Sequence, residues 1–177
     1  MIAETSRLLL RPVVLTDKKA MFAYRSDAQA NQYQGWVPKS MEEVASFIQK
    51  QPQAFNLPDS WFQLAIVHQE SERMIGDLGV HFTGSQNKQV EIGFTLNKDY
   101  QGQGYGTEAV TRLIDYLFGD LGKHRITASI DPKNLPSIKL VERLGLRKEA
   151  HFRESLYFKG EWVDDIIYAM LQWEWKA

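Results

Sequence analysis

The segment Gln101-Gly102-Gln103-Gly104-Tyr105-Gly106-Thr107 places three glycines at alternate positions, between an apolar run and an amphipathic pattern. Glycine lets consecutive N–H groups turn inward and lets backbone approach a ligand closely. Such a concavity binds anions, and a helix starting there adds about half a positive charge. The ligand that fits is a phosphate or diphosphate. Two commoner phosphate motifs are absent. A P-loop needs a lysine after its last glycine, and a dinucleotide fingerprint needs glycine at its sixth position. Thr107 stands in both places.

A few other residues have types that suit chemistry. Glu91 is a carboxylate at the start of a strand-like run, and His81 lies in the run before it. Asn134 and Ser137 open a short helical pattern, where both suit backbone capping as well as ligand contact. The chain has no cysteine, which removes disulfides, thiolate metal sites and a thiol nucleophile; no metal is expected.

The elements that must position these residues follow from periodicity. Strands are predicted at Arg7–Pro12, Gln63–His68, Met74–Phe82, Gln89–Leu96 and Arg125–Ile130. Two more, Arg147–Tyr157 and Trp162–Trp173, are joined through Lys159-Gly160. Helices are predicted from Thr16 or Asp17 to about Arg25, after the capping-box signal Ser40-Met41-Glu42-Glu43, over Gly104–Phe118, and from Asn134 to Gly145. The third of these has the clearest apolar stripe: Ala109, Val110, Leu113, Ile114, Leu117 and Phe118. Strand, two helices, three strands, helix, strand, helix, two strands predicts an α/β (α+β) mixed sheet of about seven strands with helices on both faces.

The 177 residues suit one domain over 1–177, and 44% hydrophobic with 24% charged residues is an ordinary globular balance. A net charge of −1 gives no sign of a nucleic-acid or anionic-membrane partner. No apolar run is long enough to span a bilayer, and Met1 to Arg11 lacks the pattern of a signal peptide. The expected location is cytoplasmic.

The glycine loop, following Glu91-Ile92-Gly93-Phe94-Thr95-Leu96, resembles the acyl-CoA diphosphate loop of the GNAT acetyltransferase superfamily. That family's pattern is Gln or Arg, two residues, Gly, one residue, Gly or Ala, matched by Gln101, Gly104 and Gly106. The opening Thr5-Ser6-Arg7-Leu8-Leu9-Leu10-Arg11-Pro12 is similar to the branch holding ribosomal-protein alanine N-acetyltransferases. So are Asn134-Leu135-Pro136-Ser137, Leu144-Gly145-Leu146, Phe152-Arg153-Glu154-Ser155 and Gly160-Glu161-Trp162-Val163-Asp164. The likeness spans nearly the whole chain in order.

The resemblance implies a mostly antiparallel sheet splayed between strands four and five, at 89–96 and 125–130. It implies acetyl-CoA as cofactor and an amine as acceptor, a protein N-terminus or a small amine. Separately, a monomer or homodimer is expected. Its cofactor contacts are Phe94, Thr95, Leu96, the loop Gln101 to Thr107, Asn134 and Ser137. The N–H of Phe94 or Thr95 would hold the thioester oxygen. Glu91 is the expected general base, acting directly or through water. Many members carry a tyrosine where this chain has Val141, and Ser137 is that branch's proposed replacement. Tyr33, Gln34, Trp36 and Val37, in the loop between the first two helices, and His81 are the expected acceptor-side residues. With no cysteine, direct attack by the amine is the simplest route. The alternative is a fold that binds acyl-CoA without turnover.

Overall fold

Alternation along the strands divides their side chains between two faces, and each face is covered by its own pair of helices. The computed structural model describes residues 2–176; Met1 and Ala177, the ends of the expected domain, lie outside the described residues. The elements run β1 (Ala3–Glu4), β2 (Leu8–Pro12), α1 (Lys18–Arg25), α2 (Met41–Gln49), β3 (Ser60–His68) and β4 (Arg73–Thr83). They continue with β5 (Gln89–Leu96), α3 (Tyr105–Asp115), β6 (Arg125–Ile130), α4 (Leu135–Arg143), β7 (Arg147–Phe158) and β8 (Glu161–Leu171).

The strand order is β1-β2-β3-β4-β5-β6-β8-β7, antiparallel except for the parallel pair β5–β6. Among the described residues the sheet thus has eight strands rather than about seven. The added β1 is two residues long, too short to show a period, and rests on pairs such as Ala3 with Leu10. Strand β3 starts at Ser60, earlier than predicted, which brings Trp61 and Phe62 into the sheet. Helix α3 ends at Asp115, and a π-helical turn over Tyr116–Asp120 carries Leu117 and Phe118 into the core.

The larger core packs Leu64, Ile66, Leu78, Val80, Phe82, Val90 and Ile92 against the stripe of α3 and against Val141 of α4. A smaller core on the opposite face joins Met21 and Tyr24 of α1 and Val44 and Ile48 of α2 to Ala65, Val67 and Met74. Ser40 caps α2 by accepting the Glu43 N–H at 3.2 Å. Lys159 and Gly160, at φ 49° and 92°, form the two-residue turn between β7 and β8, the geometry that suits strand twist. Among the described residues no helix is long and apolar enough to cross a membrane.

One feature of the sheet positions the site. Strand β5 pairs with β6 only through Gln89, Val90 and Glu91. From Ile92 onward the two strands part. Leu140 of α4 and Gly106 of α3 meet beside Leu96 at that opening; a Cβ on Gly106 would lie 3.3 Å from Leu140.

Candidate active site

Two concavities meet at the parting. The larger, about 960 Å³, runs along β5 to the glycine loop and the first turn of α4. Gly102 and Gly104 hold φ of 73° and 83°, the left-handed region that favours glycine, and Gly104 is the N-cap of α3. The first N–H groups of α3 have no acceptor inside the helix and face this end of the cleft. Gln101 ties the loop to the strand, donating from Nε2 to the Leu96 carbonyl at 3.0 Å. Four cations line the cleft, Lys98, Lys133, Lys139 and Arg143, against one carboxylate, Asp27. Lys98 pairs with Asp27 at 3.2 Å, and Arg143 donates to Thr107 Oγ1 at 3.3 Å.

Asn97 N–H donates to Ile75 O at 2.8 Å, continuing the β4–β5 register by one residue. In an antiparallel ladder, hydrogen-bonded and non-hydrogen-bonded pairs alternate. Thr95, Gly93 and Glu91 therefore bond β4, while Phe94 and Leu96 point their N–H and C=O groups into the parting. Their carbonyls accept Nε2 of Gln34 at 3.3 Å and of Gln101 at 3.0 Å. Of the two expected thioester donors, this leaves the N–H of Phe94; that of Thr95 is turned to β4. Thr95 instead offers its hydroxyl: the residue is 8% exposed, lines the cleft and has no partner for Oγ1 among the described residues. A buried hydroxyl without a partner is costly unless a ligand satisfies it. An open β edge, an orphaned hydroxyl, a cationic lining and an αL-rich amide loop together fit the amide-bearing arm and phosphates of coenzyme A.

The smaller concavity, about 390 Å³, lies on the α1–α2 face of the sheet. Its floor is cut by the cross-strand pair Gly79 and Gly93, beside Gln63 and Trp61. A Cβ on Gly79 would lie 3.4 Å from the Trp61 ring and 3.5 Å from Gln63 Oε1, so glycine keeps this floor low. Glu91 lines it together with Asp131, Asp164 and Asp165. Burial pushes the Glu91 carboxyl up; His81, its cross-strand neighbour, pulls it down and Asp165 adds to the rise. Ser129 donates to Asp165 at 2.7 Å, and His151 contacts Asp164 at 2.7 Å. Among the described residues the one cation in the lining, Arg25, is engaged elsewhere. It donates to fully buried Asp77 at 2.5 and 2.9 Å, and Tyr24 and Gln63 donate to the same carboxylate.

Of the sequence-predicted residues, the structure gathers Phe94, Thr95, Leu96, Gln101, Gly102, Gly104, Gly106, Thr107, Asn134 and Ser137 along the larger cleft. Glu91 stands in the smaller pocket, and Tyr33 lines both. Asn134 Oδ1 accepts the Ser137 N–H at 3.4 Å, capping α4. Val141 is fully buried in the core, so no side chain reaches the cleft from that position. Others stand apart. Trp36 stacks on Phe47 at 4.5 Å in the smaller core. His81 stacks on Trp61 at 4.4 Å, with Nδ1 buried and without a partner among the described residues. Tyr105 turns its ring to the core and its hydroxyl to His68 at 3.2 Å, while Gln103 donates to Asp99 O. Gln34, expected on the acceptor side, lines both concavities, and sequence reasoning missed Gln63, Arg25, Asp77, Asp131 and Asp165. The available signal was Asp77 itself, a charge between glycines in an apolar strand.

The acetyltransferase (GNAT) domain family matches residues 7–147 of the chain. The uncharacterised N-acetyltransferase YnaD of Bacillus subtilis (strain 168) is 30% identical over 174 residues, covering 97% of both chains. The [ribosomal protein uS5]-alanine N-acetyltransferase of Escherichia coli (strain K12) is 33% identical over 84 residues, 48% of this chain and 43% of that one. A crystal structure of a GNAT-family acetyltransferase from Bacillus anthracis superposes with a TM-score of 0.89 at 28% identity, covering 98% of this chain and all of that one.

Proposed function

The chain belongs to the GNAT acetyltransferase family and uses acetyl-CoA to acetylate amines, and on that premise we propose that its acceptor is the α-amine of a peptide N-terminus. The observation that carries the proposal is the meeting of the two concavities. Tyr33, Gln34 and Phe94 line both, so a donor lying along β5 would present its acetyl group at the mouth of the pocket that holds Glu91.

In this reading coenzyme A supplies a thioester, and the chain's own groups do the rest. The glycine loop and α3 amides hold the phosphates, with Lys98, Lys139 and Arg143 adding charge. The Leu96 N–H holds the arm along the open edge, and the Phe94 N–H meets the thioester oxygen. The amine nitrogen bonds directly to the acetyl carbon. Its surplus proton goes to Glu91, and the electron pair of the breaking carbon–sulfur bond leaves on sulfur. Ser137, which lines the cleft at the start of α4, hydrogen-bonds that sulfur in this reading. A carboxylate raised by burial is a better base near neutral pH than an ordinary one.

The pocket's size bears on the acceptor. About 390 Å³ takes one or two residues of an extended chain end, not a folded surface. Half-exposed Trp61 and Leu156 flank it and leave room for the remaining peptide. An α-amine titrates about 2.5 units below lysine, so about 3.5 kcal/mol less must be found to deprotonate it. A partly buried glutamate suffices for that task. The likeness to the uS5-alanine enzyme supports the same reading. A second reading, a small polycationic amine, is favoured by the carboxylates of Glu91, Asp131, Asp164 and Asp165.

The test compares kcat/KM for three acceptors with acetyl-CoA: an Ala- or Ser-initiated peptide, the same peptide N-terminally blocked with an internal lysine, and a polyamine. A preference of at least about tenfold for the free N-terminus is expected. A larger kcat/KM for the polyamine would replace the first reading with the second.

A further inference from the structure

We infer that Gln34 is a catalytic residue whose side-chain amide holds the acetyl carbonyl oxygen of the donor, beside the N–H of Phe94. The inference rests on the donor lying along β5 as proposed above.

Gln34 sits in the loop between α1 and α2, far in sequence from the glycine motif, and its Nε2 reaches across to the Phe94 carbonyl at 3.3 Å. An amide nitrogen carries two N–H donors, and this bond uses one. The side chain makes no other hydrogen bond among the described residues. Phe94 aims its own N–H into the same opening, by the alternation set at Asn97 and Ile75. One free amide N–H of Gln34 and one main-chain N–H of Phe94 therefore flank the point where donor cleft and acceptor pocket meet. Both residues line both concavities. Oxygen-holding sites in acyl transfer use two such donors, fixed before the reaction so that no reorganisation is needed.

Gln34 is also held in place. Its own N–H donates to Asn31 O at 3.0 Å. Asn31 is 2% exposed, and its Nδ2 donates to the carbonyls of Tyr24 at 2.7 Å and Asp27 at 2.8 Å. From the β7–β8 turn, Lys159 Nζ donates to Asn31 O at 3.2 Å and Gln32 O at 3.0 Å. A loop fastened from both sides can present a donor as rigidly as a strand does.

The experiment titrates CoA and acetyl-CoA by calorimetry into the wild-type chain, Gln34→Met and Gln34→Ala, and measures kcat and acceptor KM for each. Gln34→Met fills nearly the same volume without a donor, and Gln34→Ala serves if methionine disturbs the loop. CoA lacks the acetyl oxygen, so the ratio of its Kd to that of acetyl-CoA isolates the contact. The ratio is expected to fall about threefold or more in the variants, with CoA affinity within about twofold. At the same time kcat should fall at least about tenfold, with acceptor KM within about threefold. Parallel weakening of both ligands would make Gln34 a loop fastener only, and parallel tightening would make it a plug that the donor displaces from Phe94. Either result overturns the inference while leaving the donor site intact. If Gly104→Val leaves the wild-type CoA affinity unchanged, it is the donor site along β5 that fails instead.

Discussion

The donor cleft and the acceptor pocket share one wall, yet they are built in opposite ways. The cleft binds through main chain: a glycine loop, a helix start and an open strand edge, with four cations around one carboxylate. The pocket works through side chains: four carboxylates from β5, the segment after β6 and β8, over a floor lowered by two glycines. Backbone binding needs residues close in sequence, because successive N–H groups must converge. Side-chain pockets recruit from anywhere the fold brings together. The difference teaches why the donor of such an enzyme can be read from a motif and its acceptor cannot.

Several variants would break or sharpen that contrast. The largest effect is expected beneath the pocket. Asp77→Ala leaves Arg25 buried without its partner and should lower stability by about 3–5 kcal/mol in a denaturant melt. A loss under about 1 kcal/mol would mean water or a rearranged Gln63 takes over the role.

Next comes the division of labour between the two regions. Glu91→Gln should cut turnover at least about tenfold and leave the calorimetric Kd for CoA nearly unchanged. Gly104→Val should do the reverse, weakening CoA about tenfold or more through the crowded amide nest. It should also lower stability by about 1–2 kcal/mol, because its φ of 83° is strained for any residue with a Cβ. If both variants harm binding and turnover equally, the two regions are not separable functions.

A finer effect concerns pH. Glu91 must be ionised to accept a proton, so kcat/KM should rise with pH through its raised pKa and level off above it. The negative charge of Asp165 contributes to that rise, so Asp165→Asn should move the acidic limb to lower pH. A limb that stays in place in Asp165→Asn, or persists in Glu91→Gln, would belong to another group.

The smallest effect is thermodynamic. A carboxyl with a raised folded pKa favours its protonated form. Its contribution to stability is full below the unfolded pKa and is lost as pH rises through the folded one. Gln at position 91 should therefore melt slightly higher than Glu at pH 8 and show little difference at pH 4. The opposite order would contradict the desolvation assigned to Glu91.

The glycine loop shows how far sequence reaches. Alternating glycines before an amphipathic stripe imply positive φ and an anion nest, and Gly102 and Gly104 adopt that geometry. The strand and helix periods also sufficed for the element order, since each is a local pattern with one buried face. They failed for β1, which is too short for a period, and for the start of β3, where exposed Trp61 interrupts the alternation. At the site, local type was not enough. Trp36 and His81 have the composition of pocket residues, yet Trp36 stacks on Phe47 in the smaller core and His81 stacks behind Trp61, which takes the place in the pocket lining.

By itself, then, the order of residues determined the donor half of the chemistry, because amides converge only through short-range backbone geometry. Tertiary structure alone decided the acceptor half. Whether Glu91 meets Asp165, whether Asp77 gathers Arg25, Tyr24 and Gln63, and whether Gln34 reaches Phe94 depend on strand register and on how a distant loop closes over the sheet. Those distances are set by packing of the whole core, and no spacing along the chain encodes them.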